Sequence, residues 1–160
     1  MAFIKTTYIV FIVASLCYAQ QDTIQLRFED YAVKNIFNGK PHKVDLTSDP
    51  DAKMYRTSLR EQTKKGVNFA GHYTVVIWGC GTSTQAFAIV DVLTGKVYFS
   101  SELPFVSWAG WWEEEYGLKF RKDSNLLIAY GHRMEEEEKG IYFYLWDGSK
   151  LKLIKSIIKN

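Results

Sequence analysis

Three times in the second half of the chain, two apolar or β-branched runs flank a short turn word, and no other feature constrains the fold as tightly. Residues 86–92 and 96–100 flank Leu93-Thr94-Gly95, residues 118–121 and 126–130 flank Lys122-Asp123-Ser124-Asn125, and residues 141–146 and 150–154 flank Asp147-Gly148-Ser149. Each unit reads as a hairpin. Hairpins in series predict a mostly antiparallel meander, because antiparallel neighbours need only a short connection. Residues 73–78 add a further strand. Residues 75–78 and 86–90 are apolar at consecutive rather than alternate positions, so those strands are expected to be covered on both faces. The expected fold is α+β: a curved, mostly antiparallel β-meander sheet of six to eight strands with one or two covering helices.

One cover is readable upstream. Ser48 or Asp49 can cap a helix, Pro50 suits its first position, and Asp51 favours the positive end of its dipole. Ala52, Tyr55 and Leu59 form one apolar stripe, Lys64 and Lys65 close the last turn, and Gly66 is a natural stop. Before it, Ile24, Leu26 and Phe28 alternate with polar residues as in a first strand. Residues 30–37 fit a strand or a short helix, ended by Asn38-Gly39-Lys40-Pro41. The hairpin rhythm also suits propeller blades, but the chain has material for about two, and four is the usual minimum.

Residues 1–19 carry the pattern of an export signal. Lys5 gives a positive start, residues 8–16 are almost unbroken apolar, and Cys17-Tyr18-Ala19 sets up a cut before Gln20. The apolar run is shorter than the roughly 20 residues of a permanent membrane helix. The residues before Cys17 lack the small-residue spacing of a lipid attachment site, so no stable membrane anchor is expected after cleavage. Residues 20–160 then suit a single globular α+β domain in the periplasm or outside the cell. Of 20 basic and 18 acidic residues, the cut removes Lys5 and leaves a nearly neutral chain. Its bases are scattered along the sequence and no nucleic-acid motif is present, so no nucleic-acid partner is expected. Only Cys80 remains of the two cysteines, and a lone thiol makes no internal disulfide. Stability has to come from the core.

The densest run of chemistry-bearing residues is Asn68-Phe69-Ala70-Gly71-His72-Tyr73, followed by residues 74–78 and then Gly79-Cys80-Gly81-Thr82-Ser83-Thr84. The words NFAGHY and WGCGT, with a helix before them and a VD-x-x-TGKV hairpin after, resemble a group of small exported bacterial proteins of uncharacterised function. The resemblance covers most of the chain after the signal. It implies a shared fold and export, and no activity. Members often carry a second cysteine where this chain has Thr84, which counts against any role needing a cysteine pair.

As a nucleophile and base, His72 and Cys80 fail as a same-strand pair: eight residues of extended chain place them roughly 26 Å apart. His42 and His132 remain open as partners from elsewhere in the fold. The simpler expectation for Cys80 is a small buried residue between two glycines. Gly79 and Gly81 suit a hairpin turn, or else a ligand loop in which Thr82, Ser83 and Thr84 offer hydroxyls and backbone N–H groups. No phosphate-loop pattern is present. His72 reads as a hydrogen-bonded structural residue, and Asn68 and Gly71 as residues that shape the strand entry.

A second cluster is Trp108, Trp111 and Trp112, followed by Glu113-Glu114-Glu115 and Tyr116. On a helical turn the three indoles would share a face. Aromatic faces beside carboxylates suit a sugar surface, and two carboxylates about 5 to 9 Å apart suit glycoside hydrolysis; otherwise the indoles anchor a core. The run Glu135-Glu136-Glu137-Glu138 lacks metal-ligand spacing. It reads as an exposed loop that deters edge pairing or attracts a basic protein. No cofactor or metal is expected. The candidate binding residues are Asn68, His72, Cys80, Thr82, Trp108, Trp111 and Trp112. Since no complete catalytic set can be assembled, the expected function is non-enzymatic: a binding module for peptidoglycan, another glycan, or a basic secreted protein. A small Cys- or carboxylate-dependent hydrolase is the alternative.

Overall fold

The computed structural model describes residues 26–133 and 138–159. The leader at 1–19 and all but Glu138 of the glutamate run lie outside the described residues. No helix among the described residues is long and apolar enough to cross a membrane.

The fold is α+β, with eight strands, mostly antiparallel, and one α-helix among the described residues. The turn words act as expected. Leu93-Thr94-Gly95 joins β2 (Thr84–Asp91) to β3 (Val97–Tyr98), the 122–125 loop joins β5 (Gly117–Phe120) to β6 (Leu126–Gly131), and Asp147-Gly148-Ser149 joins β7 (Gly140–Trp146) to β8 (Leu151–Ile158). The 80–83 turn adds a hairpin between β1 (Tyr73–Gly79) and β2, with Cys80 N–H donating to Thr84 O at 3.2 Å. The strands divide between two four-stranded sheets. The first is β1-β2-β3, with β4 (Phe105–Ser107) also pairing with β2, and the second is the meander β5-β6-β7-β8.

Consecutive apolar residues in β1 and β2 serve two cores, as their pattern requires. Val75, Phe87 and Ile89 join Leu127, Tyr142, Tyr144 and Trp146 in a core shared by both sheets. Val76, Ala88 and Val90 face the other way, against Ala52 and Leu59. Those two residues belong to the expected apolar stripe, which is carried on a 3-10 turn (Pro50–Lys53) and the helix α1 (Arg56–Thr63). The turn is capped by Asp49, whose Oδ1 accepts from Asp51 N–H at 2.9 Å.

The predicted first strand is absent from its described part. Leu26 is irregular and Phe28–Tyr31 forms a 3-10 turn. Arg27 and Asp30 bond each other reciprocally through backbone and side chain, which favours a local turn over a ladder. Leu26, Phe28 and Tyr31 then pack on the outer face of the second sheet, against a core of Leu126, Ile128 and Phe143. From Val33 to Phe37 the chain forms neither helix nor strand.

Side chains close the open edge of β1. Val75 exchanges two hydrogen bonds with the Asn68 carboxamide, at 2.7 and 3.0 Å, and Ile77 does the same with Gln62, at 3.0 and 2.7 Å. Each carboxamide replaces the peptide group of a missing strand, so the edge offers no free ladder at these positions. Ser107 stitches the sheets together. It pairs with Thr84 of β2 on one side, and exchanges backbone hydrogen bonds with His132 at 2.9 and 2.7 Å on the other. Gly131 (φ +124°) permits this approach: a Cβ there would sit 2.2 Å from Ser107 O.

Candidate functional site

The two sequence clusters end up adjoining. Trp108 N–H donates to Ser83 O at 2.8 Å, and Thr84 Oγ1 and Ser107 Oγ lie 3.1 Å apart. The loop from 108 to 116 therefore starts beside the Cys80 turn and runs to the second sheet. In the turn, Gly81 (φ +143°) and Ser83 (φ +54°) take positive φ, while Gly79 ends β1 without needing it.

Cys80 is free and exposed, which corrects the expectation of a buried sulfur. β1 ends at Gly79, so Cys80 stands in the turn beyond the strand and outside the sheet's packed faces. Among the described residues no hydrogen bond is made by the Cys80 sulfur, and His72 sits at the other end of β1 with its ring 4.2 Å from that of Tyr73. The separation argued from the extended chain therefore holds. Thr82 is exposed, its carbonyl accepting from Thr84 Oγ1 at 3.2 Å. Both ends of the Asn68 carboxamide are engaged by Val75, so Asn68 belongs to the strand entry.

The tryptophans do not share a helical face, because residues 108–116 form a turn and irregular loop. Their environments diverge. Trp108 is half-buried, with its ring 5.4 Å from that of Tyr116. Trp111 is 8% exposed and donates Nε1–H to Glu115 O at 2.6 Å, pinning the loop to itself. Trp112 is 93% exposed. An indole left almost wholly in water forgoes about 2 kcal/mol of burial, so its position is set by the loop that presents it and not by packing.

Trp111 and Trp112 line a cavity of about 640 Å³ on the outer face of the second sheet. Its floor is a cross-strand row, Tyr130–Ile141–Ile157, with Phe143 beside it. Its wall is the acidic run 113–115, and Lys159 closes one end through a 3.3 Å ion pair with Glu113. Glu115 is also held, by Lys119 at 2.5 Å. Burial raises the Tyr130 phenol above its ordinary pKa, with the charge of Glu115 adding to the effect, so the hydroxyl stays a neutral donor and acceptor. The floor was not legible in advance, because Tyr130, Ile141 and Ile157 lie on three strands and meet only through register.

The arrangement provides an apolar platform, an exposed indole and a rim of carboxylates. Among the described residues no group of three or more His, Cys, Asp or Glu side chains is placed to hold a metal. No family model, curated protein or solved structure matches the chain.

Proposed function

We propose that this is an exported, non-enzymatic binding module that holds a segment of glycan, such as peptidoglycan, in the Trp112 cavity. The exposed Trp112 indole carries the reading. Sugar rings present one face of C–H groups that stack on an aromatic plane, and a ring of hydroxyls that need hydrogen-bond acceptors. The 113–115 carboxylates supply those acceptors beside the indole. The cavity volume, about 640 Å³, lies within the range of small-ligand sites. An export leader at 1–19, and the resemblance to small exported proteins, support a periplasmic or external location where such glycans occur.

Co-sedimentation with insoluble peptidoglycan and with chitin tests the reading, with Trp112→Ala as the paired variant. Binding by the native protein and its loss in Trp112→Ala, with thermal stability unchanged, is the expected result. Absence of binding to either polymer, or equal binding by the variant, overturns it.

A second reading rests on the exposure of Cys80. A thiol-dependent hydrolase would need a thiolate near neutral pH. Alkylation of the native protein across pH separates the two. An ordinary thiol profile leaves the binding module standing, and rapid alkylation below pH 7 favours the hydrolase.

A further inference from the structure

A second cavity lies on the opposite layer of the molecule, where α1 meets the chain leading into it. It measures about 530 Å³, and its wall carries Lys40, His42, Lys43, Arg60 and Lys64 with no carboxylate among them. The sequence scatters these bases over some twenty-five positions, and the fold gathers them. Two contacts bring the 40–45 segment there: His42 N–H donates to Val92 O at 2.7 Å and Asp45 N–H to Gly95 O at 2.8 Å. Arg60 and Lys64 arrive from the last turn of the helix, one turn apart. Among the described residues, none of Lys40, Lys43, Arg60 or Lys64 forms an ion pair. An adjoining hollow shares Pro41 and Lys64 and adds Lys65 and Lys122, which lengthens the basic strip.

Four like charges around one hollow repel each other and sum to a positive potential that favours an anion there. The second observation is Thr63. It lines the same cavity, is 2% exposed, and its Oγ1 has no hydrogen-bond partner. A buried hydroxyl is normally satisfied, so an orphan one on a residue of the cavity wall calls for a partner that the protein does not supply. The cavity lining therefore offers four cations and one unsatisfied hydroxyl; Asp45, whose charge reaches His42, lies outside the lining and is bonded to Thr47.

We propose that this cavity binds a phosphorylated ligand carrying two or more phosphate groups, with Arg60 and the lysines on the phosphates and Thr63 on an oxygen at the cavity floor. A single phosphate is too small to engage all four cations across about 530 Å³, whereas linked phosphates span them. Arg60 offers a planar fork to one phosphate, and the lysines act as point charges on the others. The same chemistry is presented by a soluble polyphosphate ester and by a phosphorylated lipid headgroup.

Titration calorimetry with inositol hexakisphosphate and with inorganic tripolyphosphate tests the site on the full chain. Both are expected to bind, and affinity should fall as salt rises. The double variant K43E/R60E should lose about tenfold or more in affinity, whereas K53E, which alters an exposed lysine outside the cavity, should lose far less. Thr63→Val keeps the side-chain shape and should weaken binding several-fold without loss of fold, which far-UV circular dichroism checks. No binding of either probe, equal losses in K53E, or an unchanged Thr63→Val overturns the proposal. A vesicle arm separates the sources. Vesicles with a polyphosphorylated inositol lipid that capture the protein, and release it to inositol hexakisphosphate, point to a headgroup. Soluble binding without capture points to a free ester. Capture that survives K43E/R60E overturns the site.

Discussion

Val75 and Val76 are chain neighbours in β1 that point into different cores, and replacing each in turn tests the layered architecture directly. Val75 is 2% exposed in the core shared by the two sheets, and Val76 is 0% exposed under α1. Val→Ala removes two methyl groups. At about 0.8 kcal/mol per buried carbon the transfer loss is about 1.6 kcal/mol, and a partly unfilled cavity raises the total to about 2–3 kcal/mol. Both variants should lose that much, with unchanged dependence on denaturant. The matching fall in melting temperature is roughly 4 °C for each kcal/mol in a domain of this size. Met54→Ala, at a position 71% exposed, serves as control and should stay within about 0.5 kcal/mol. Guanidinium titrations followed by tryptophan fluorescence and by far-UV circular dichroism supply the numbers. An ordinary strand with one wet face would show one large loss and one below about 1 kcal/mol, the scale of strand propensity alone. That asymmetry would refute the two-sided burial of β1, and with it the docking of α1 on the first sheet.

Three further outcomes follow from particular contacts. Gln62→Ala with Asn68→Ala removes the carboxamides that close the β1 edge, so stability should fall by about 2–4 kcal/mol in total and light scattering should show concentration-dependent association; a monomeric, equally stable double variant would sink the edge-closure reading. Gly131→Ala should cost more than about 3 kcal/mol or prevent folding, because its Cβ would meet Ser107 O at 2.2 Å in a strained φ; thermal melting checks it, and a loss under about 1 kcal/mol would contradict the stitch between the sheets. Asp147 is held well below the usual carboxylate range by Lys152 first, then by the Ser149 hydroxyl and the Lys150 N–H. A depressed folded-state pKa adds stability that is present above about pH 4 and lost as the pH falls through the folded value. Asp147→Asn should therefore flatten the fall in melting temperature on acidification below about pH 4, and an unchanged slope would remove Asp147 from that transition.

What was legible in the sequence is local. The three turn words placed their hairpins because a glycine or an Asx-type turn specifies chain reversal within four residues; at Asp147 the side chain takes the N–H groups of Ser149 and Lys150 at 3.0 Å. The doubly apolar runs at 75–78 and 86–90 announced two covered faces because side-chain alternation is fixed by the pleat. The failures have an equally local cause. Leu26 and Phe28 alternate like a strand, but Arg27 finds Asp30 three residues on and turns the chain. Trp108, Trp111 and Trp112 have helical spacing, yet Gly110 (φ +64°) between them breaks any helix.

The two cavities show why function was harder to read than fold. Trp112 stood out in the sequence because an indole beside glutamates is conspicuous, but its floor is Tyr130, Ile141 and Ile157, brought level by the registers of β6, β7 and β8. Each of these is an unremarked strand residue until pairing places it. The basic cavity lacked even a conspicuous member, since Lys40, Lys43, Arg60 and Lys64 are ordinary surface residues one at a time. What turns them into a set is the hydrogen bonding of 42 and 45 to the β2–β3 hairpin, which pulls one segment against the last turn of a helix from another. Charge counted along the chain is nearly neutral, whereas the charged side chains that line this cavity are all basic. Partners sense the surface, so a reading that averages over sequence discards the quantity that decides binding.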